Sequence, residues 1–432
     1  MSSSLLIQNG TLVTMNAKEE VLNADLYIED GKIKKILTKD QKESQRGTDL
    51  FEICPPTTVL DAKNCWVLPG FIQTHVHLCQ TSFRNLAEDL ELLDWLKEKI
   101  WPMEGAHTQA SLFSSASLGI QELLLGGTTT VLDMGTVHHT DEIFKAAQKL
   151  GIRLFCGKAM MDAGEETPKS LKEDTHASLD ETQRLIETWH GKENGRLSYA
   201  LAPRFALSCS EKLLKACHDL SEKNGIMIHT HASENRSECQ AIETQKGKKT
   251  IHYLEDMGLC TSRSCFAHCI WVDESEMEVL KKTNTRVSHC PSSNLKLGSG
   301  IARVPELLKE GICVTLGADG APCNNTLNMF QEMRLAGLIQ KPRVGVQALP
   351  AKEILKMATC YGAKALHMEN AIGSIETGHQ ADLILIQKDA LHQQPATDPY
   401  TTIVYASYAS DVKDVLVNGK VCVRNRKLLF NE

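Results

Sequence analysis

Near the amino terminus, apolar and polar positions alternate in short bursts, as in "LLIQNGTLVTM" and "ADLYIEDGKIKKIL", with the turn formers Asn9-Gly10 and Asp30-Gly31 between them. A period of two broken by such dipeptides predicts strands joined by hairpin turns. The same pattern returns near the carboxyl end in "GSIETGHQADLILI" and "VKDVLVNGKVCV", where Asn418-Gly419 marks a further hairpin. Like modules at opposite ends predict one small β-sandwich domain made by both termini, residues 1–66 with 369–432.

Residues 67–368 follow a different period. Short apolar runs ("TTTVLDM", "IRLFCGK", "LSYALAPRF", "GIMIHTHASE", "SCFAHCI", "TRVSHCP", "GICVTLGADG") alternate with amphipathic stretches such as "SLGIQELLLGG" and "EILKMATCYGAKALHM". Strand followed by helix, many times over, predicts a parallel sheet, and the length suits an α/β domain of the (β/α)8 TIM-barrel type. In such a barrel the groups that do chemistry stand at the carboxyl ends of the strands.

That rule singles out a small set of polar residues where apolar runs stop: His75 and His77, His231, His268, His289 and Asp319. Strand residues two apart project to one face, so His75 and His77 turn inward together and offer two imidazoles to one ion. A single histidine at a strand end is more often a satisfied polar group than a ligand. The combination changes the reading: His75, His77, His231 and Asp319 form an N,N,N,O donor set suited to one divalent ion. Zinc fits best, with Fe2+ or Mn2+ as alternatives, and a position stays open for water. His229 shares the strand and parity of His231 and competes with it. Glu234, three residues beyond His231, favours His231.

A protein-held ion lowers the pKa of water from near 16 to about 7, which makes hydroxide available at neutral pH. Proton carriers are then needed. Glu234 is placed to protonate a ring nitrogen, His268 to hold the nucleophile and the forming oxyanion, and Asp319 to accept a proton and pass it to the leaving group.

Bulk properties narrow the partners. With 432 residues and 42% hydrophobic composition, the chain is long enough for a large core and a second domain. A net charge of −7 with mixed signs offers no basic stripe for nucleic acid. No apolar run approaches the ~20 residues that span a bilayer, and "MSSSLLIQNGTLVTMN" lacks the pattern of a signal peptide. Fifteen scattered cysteines without a Cys-x-x-Cys pair read as reduced thiols. A soluble, cytoplasmic protein with a small-molecule partner, neither nucleic-acid-bound nor in a membrane, is the expectation.

The ordered series His75-x-His77, His231-x-x-Glu234, His268 and Asp319, with a β-sandwich from both termini, resembles the amidohydrolase superfamily. Nearly end to end, the chain is similar to the metal-dependent aminohydrolases that deaminate purines and related heterocycles. "SHCPSSNLKLGSGIARVPELL" and "VTLGADGAPCNNTLNMFQEMRLAGLIQK" resemble the branch acting on 5′-methylthioadenosine, S-adenosylhomocysteine and 5′-deoxyadenosine. The resemblance implies a single ion, because no lysine stands where a bridging carbamate would be. It also implies a homo-oligomer.

Position by position, Trp95 and Glu104 in "LLDWLKEKIWPME" match the adenosine branch, where the glutamate holds ribose hydroxyls. The branch's arginine appears as Lys158, and its substrate-binding histidine as Arg204. Arg204-Phe205, with Gln80 and "HASENRSE", is instead similar to guanine deaminases, where Gln and the Arg-Phe pair grip the purine. His289 completes the implied substrate-binding set. The implied activity is hydrolytic deamination of an adenine nucleoside; the alternatives are deamination of a free base such as guanine or a pterin, and hydrolysis of a triazine. Relatives that have lost their ligands serve as scaffolds, but here every ligand and the glutamate are present.

Overall fold

The computed structural model describes residues 4–38 and 56–429. In chain order the strands are β1 (Ser4–Val13), β2 (Val21–Glu29), β3 (Lys32–Thr38), β4 (Thr58–Asp61) and β5 (Cys65–Pro69), then β6 (Phe71–His77), β7 (Thr128–Asp133), β8 (Arg153–Cys156), β9 (Ala159–Met160) and β10 (Leu197–Pro203). They continue with β11 (Met227–Ala232), β12 (Ser264–His268), β13 (Arg286–His289), β14 (Val314–Leu316) and β15 (Asp319–Gly320), and end with β16 (Leu383–Gln387), β17 (Val412–Val417), β18 (Lys420–Arg424) and β19 (Lys427–Leu428).

Strands β1–β5 and β16–β19 form one nine-stranded mixed sheet. Its seam is the antiparallel pair β5–β16, from Leu383 opposite Pro69 to Gln387 opposite Cys65, which joins the two ends of the chain. Leu12, Leu26, Ile33, Val67, Leu385 and Leu416 bury the face that the alternation marked as apolar. Asp30-Gly31 and Asn418-Gly419 are hairpin turns with positive φ, as expected. Asn9-Gly10 is not a turn. It lies inside β1 as a bulge, where the register jumps from Ile7 opposite Leu26 to Gly10 opposite Ala24. Asn9 takes φ 64° there, its amide hydrogen-bonded to Asp25 Oδ1 at 2.8 Å. A Cβ on Gly10 would come within 2.7 Å of Val67. The dipeptide marks a left-handed backbone and a close approach, which a bulge needs as much as a turn does.

Strands β6–β15 are parallel to their neighbours, in the order β14-β13-β12-β11-β10-β8-β7-β6-β15. β14 pairs with β13 and β15 with β6, so Val314–Gly320 is one interrupted strand that closes the ring. β8 and β9 both pair with β10 and likewise count as one, giving eight. Gly317, at the interruption, leaves no room for a side chain: a Cβ there would lie 2.6 Å from the His75 carbonyl oxygen. Thr74 Oγ1 meets Ser288 Oγ at 2.7 Å and Thr315 Oγ1 at 2.5 Å, linking the first strand to the last two.

Several of the intervening helices start at side-chain caps, among them Thr108, Asp174, Ser210 and Asp273, each accepting from the first turn. The stretch "EILKMATCYGAKALHM" is two helices, Ala351–Met357 and Cys360–Ala365. The break falls at Thr359, whose hydroxyl donates to the Leu355 carbonyl and whose backbone leaves the helical region. Barrel and terminal sheet are tied by Arg153 at the amino end of β8, which donates to Asp382 through Nε (2.7 Å) and Nη2 (3.1 Å). Among the described residues, no helix is long and apolar enough to cross a membrane, and the cysteines are free.

Candidate active site

The predicted histidines and Asp319 meet at the carboxyl ends of the barrel strands. Three of these ends bend through left-handed backbone: Ser233 (φ 51°) after β11, His268 (φ 72°) at the end of β12 and Asp319 (φ 64°) at β15. Such conformations cost of order 1–3 kcal/mol each in non-glycine residues and persist where the surrounding packing imposes them.

His75, His77 and His231 each bring a ring nitrogen within 4.8 Å of the others. His77 Nε2 and His231 Nε2 are 3.2 Å apart. Asp319 Oδ1 stands 3.3 Å from His75 Nε2 and 3.4 Å from His77 Nε2. His231 Nδ1 lies 2.7 Å from the Arg204 carbonyl oxygen, which only accepts, so Nδ1 carries the proton and Nε2 the lone pair. Burial pushes His77 and His231 well below the usual histidine range and keeps both neutral. His75 Nε2 is buried without a hydrogen-bond partner. Converging lone pairs beside a carboxylate are costly in isolation and favourable around a cation, so these residues fit a divalent ion. His229, the competitor of His231, faces elsewhere: its Nε2 is 2.8 Å from His75 Nδ1.

Two carboxyls flank this cluster, their pKa values shifted in opposite directions. Burial, reinforced by the charges of Asp319 and Glu238, lifts Glu234 well above the ordinary carboxyl range. Burial alone would raise Asp319 too, but facing His75, His77 and His268 holds it well below. His268 stands between them, Nε2 at 3.4 Å from Glu234 Oε2 and 3.9 Å from Asp319 Oδ2. Its Nδ1 is 2.8 Å from Asn294 Oδ1. Ser293 Oγ donates to Asp319 Oδ2 at 2.6 Å. An acid and a base driven apart by their surroundings are the usual equipment of proton transfer at neutral pH.

Gln80, Trp95, Arg204 and Phe205 line a narrow cleft above the cluster, with Glu234 and Glu238 on its wall. Phe205 also borders a wider cavity of about 900 Å³ that includes Lys97, Trp101, Glu166 and Lys246. Glu104 is absent from the cleft wall and stands behind it. Arg204 Nη1 donates to its Oε2 (2.5 Å), Arg204 Nη2 to its Oε1 (3.2 Å) and Gln80 Nε2 to its Oε1 (2.9 Å). Lys158 also lies off the cleft, its buried ammonium bonded to both Glu173 oxygens (2.5 and 2.6 Å) and to the Val137 carbonyl (2.6 Å). His289 is fully buried at the end of β13, neither ring nitrogen bonded, and burial and then His268 push it down to about 3.

Sequence reasoning did not single out Ser293, Asn294 and Glu238. The first two sit on the short helix Pro291–Lys296 that follows β13, inside the quoted run "SHCPSSNLKL". Only their contacts with Asp319 and His268 distinguish them from loop polar residues. Asp133 also escaped notice: it accepts from Leu78 N (2.7 Å) and Gly135 N (2.9 Å), fixing the chain as it leaves His77.

An eight-stranded parallel barrel with imidazoles and carboxyls gathered at one end is the framework of a hydrolase that works with a bound ion. A family model described as Amidohydrolase family matches residues 66–422, and the chain belongs to that family. It is 35% identical over 429 residues to a 5′-deoxyadenosine deaminase of Methanosarcina barkeri, covering 99% of this chain and 94% of that protein. Among solved structures it is similar to an adenosine deaminase from Xanthomonas campestris with bound zinc (TM-score 0.91, 27% identity, 100% of this chain and 95% of that one). It is also similar to the guanine deaminase of E. coli (TM-score 0.86, 28% identity, 99% of each chain).

Proposed function

We propose that the protein is a metal-dependent aminohydrolase that replaces the exocyclic amino group of an adenine nucleoside by oxygen, releasing ammonia and the inosine analogue. The 5′ group is absent or modified, as in 5′-deoxyadenosine, 5′-methylthioadenosine or S-adenosylhomocysteine; adenosine belongs to the same class. One observation carries the chemistry: His268 stands between two carboxyls, Glu234, whose pKa burial raises, and Asp319, whose pKa the facing histidines lower. The name of the full-length Methanosarcina relative supports the substrate class.

His75, His77, His231 and Asp319 would hold the ion, and zinc is the metal of the similar Xanthomonas structure. Such an ion, when bound, supplies an acidified water. Glu234 gives its proton to the ring nitrogen beside the amino-bearing carbon, making that carbon electrophilic. His268, whose Nδ1 donates to Asn294, keeps a lone pair on Nε2 and accepts a hydrogen bond from the attacking water, orienting it. Asp319 takes the water's proton and delivers it to the amine as the carbon–nitrogen bond breaks, and the remaining hydroxyl proton passes to Glu234 as the ring carbonyl forms, restoring the acid. Trp95 and Phe205 bound the cleft with apolar faces that suit a flat ring and exclude bulk water.

A second reading is favoured by the position of Glu104. Because Gln80 Nε2 is spent on Glu104, Gln80 offers its carbonyl oxygen, which is buried and unpartnered. Arg204 beside it keeps N–H groups that Glu104 does not use. An acceptor next to a donor complements the lactam edge of guanine and pterins, whereas every donor–acceptor edge of the adenine ring includes the amino group that leaves. An ultraviolet assay of zinc-loaded protein with 5′-deoxyadenosine, methylthioadenosine and guanine separates the two. Turnover of the adenine nucleosides is expected; turnover of guanine alone establishes the second reading, and turnover of none overturns purine deamination.

A further inference from the structure

We infer that His229 is a positioning residue of the metal site: it holds His75 by the ring nitrogen that faces away from the ion and thereby fixes which nitrogen His75 offers. Strand parity puts His229 on the same side of β11 as His231, and parity by itself leaves the two interchangeable as ligands. Their hydrogen bonds separate them.

His229 Nδ1 lies 2.9 Å from the carbonyl oxygen of Cys265 on the neighbouring strand β12. A carbonyl oxygen only accepts, so Nδ1 carries the hydrogen, and in a neutral imidazole Nε2 is then a lone pair. That lone pair stands 2.8 Å from His75 Nδ1, which must therefore be the donor. His75 Nε2 in turn is left with its lone pair, and this atom faces Asp319 at 3.3 Å. Cys265 carbonyl, His229 and His75 form a chain of hydrogen bonds that runs in one direction only. His75 and His229 are both fully buried, and their rings meet edge to face with centroids 4.9 Å apart, so both bonds are shielded from bulk solvent.

The other two histidines are served differently. His231 donates to the Arg204 carbonyl, while His77 Nδ1 is buried without a partner. Only His75 among the three has an imidazole nitrogen behind it, a stronger base than a carbonyl oxygen. A ligand that donates to a stronger acceptor is itself a better donor to the ion, and such outer contacts are worth ~10–100-fold in metal affinity. His229 thus orients the first imidazole of the His-x-His pair and raises its basicity without touching the ion.

The inference rests on the ligand set proposed above and not on the substrate. Its test measures zinc affinity of the full-length protein, stripped by chelator and titrated against a chromophoric competitor. His229→Phe keeps a ring but offers no acceptor, and an affinity loss of ~10–100-fold is expected. His229→Asn keeps a polar group near Cys265 but stops short of His75; the same loss is expected, which keeps the test open if the Phe variant fails to fold. In His229→Gln an amide oxygen can stand near the place of Nε2, and affinity within a few-fold of wild type should return. Cobalt-substituted wild type and Gln variant should share their visible bands, because the number of ligands is unchanged. Wild-type affinity in both the Phe and Asn variants overturns the positioning role. Loss of affinity together with altered cobalt bands in the Gln variant overturns it in the other direction, making His229 a ligand. A wild type that binds no ion overturns the ligand set instead.

Discussion

The barrel buries an arginine–carboxylate pair at each of its ends. Arg153–Asp382 lies at the amino ends of the strands, where the terminal sheet packs, and Arg204–Glu104 lies at the carboxyl ends beside the cleft. Both are two-pronged, and side-chain exposure is 2%/2% for the first and 5%/3% for the second, so burial does not distinguish them. Their surroundings do. At the base, Asp382 takes a further hydrogen bond from Asn418 N at 2.6 Å, and neither partner leaves a polar atom orphaned. At the mouth, Gln80 Oε1, His75 Nε2 and His268 Nε2 are buried and unsatisfied close by. A buried ion pair contributes little net stability but is costly to break, so the pair at the base acts as a joint. The unpaired atoms at the mouth carry a cost that only a bound ion, water or substrate removes.

The largest effect that would break this contrast is at the ion cluster. His75→Ala or Asp319→Ala should abolish activity and bound metal together, measured by turnover and metal analysis, because the remaining donors are too few. Near-normal turnover with full metal content would remove that residue from the site. At the other end, Asp382→Ala leaves a buried, unpaired Arg153. A loss of about 3–5 kcal/mol in denaturant unfolding is expected, with kcat of the folded protein unchanged. A fall in kcat without loss of stability would mean that the two ends are not separable.

Glu234→Gln should keep the metal and lower kcat at least ~10²-fold. The pH profile sharpens this. Burial raises the Glu234 pKa, so the proton needed for catalysis is retained to higher pH, and activity falls as pH rises through that raised value. The Gln variant should lack this alkaline limb; a profile that keeps it assigns the limb to another group.

The smallest effect separates recognition from support. Glu104 acts on the cleft through Arg204 and Gln80, and each charge-assisted hydrogen bond is worth ~1.5–3 kcal/mol when lost. Glu104→Gln should lower kcat/KM about 10-fold for nucleoside and free base alike. A drop confined to nucleosides would place Glu104 on the ribose.

Much of this was legible in the chain. The two periods of the hydrophobic pattern separated a terminal β module from a barrel, and the polar residues at strand ends marked the candidate site, because strand parity and the rule of carboxyl ends need no knowledge of neighbours. His75 and His77 are an example: two apart in sequence and so on one face, they meet whatever the rest of the chain does. Asn9-Gly10 shows the limit of such local signals. It announced a left-handed backbone correctly, while the choice between turn and bulge depended on Asp25 and Val67 from other strands.

What tertiary structure alone decided is the direction in which each polar side chain faces. His229 and His231 are equivalent by parity, yet Cys265 and His75 engage one while Arg204 and His77 engage the other. Glu104 carries the residue type of a ribose acceptor, but Arg204, exactly one hundred residues away in sequence, claims its carboxylate. Ser293 and Asn294 gain their roles only because the seventh strand lies beside the sixth and delivers them to Asp319 and His268. Periodicity and turn chemistry are properties of neighbours along the chain. A buried hydrogen bond has a partner fixed by distance and direction across strands, and a single chain of letters does not hold that information.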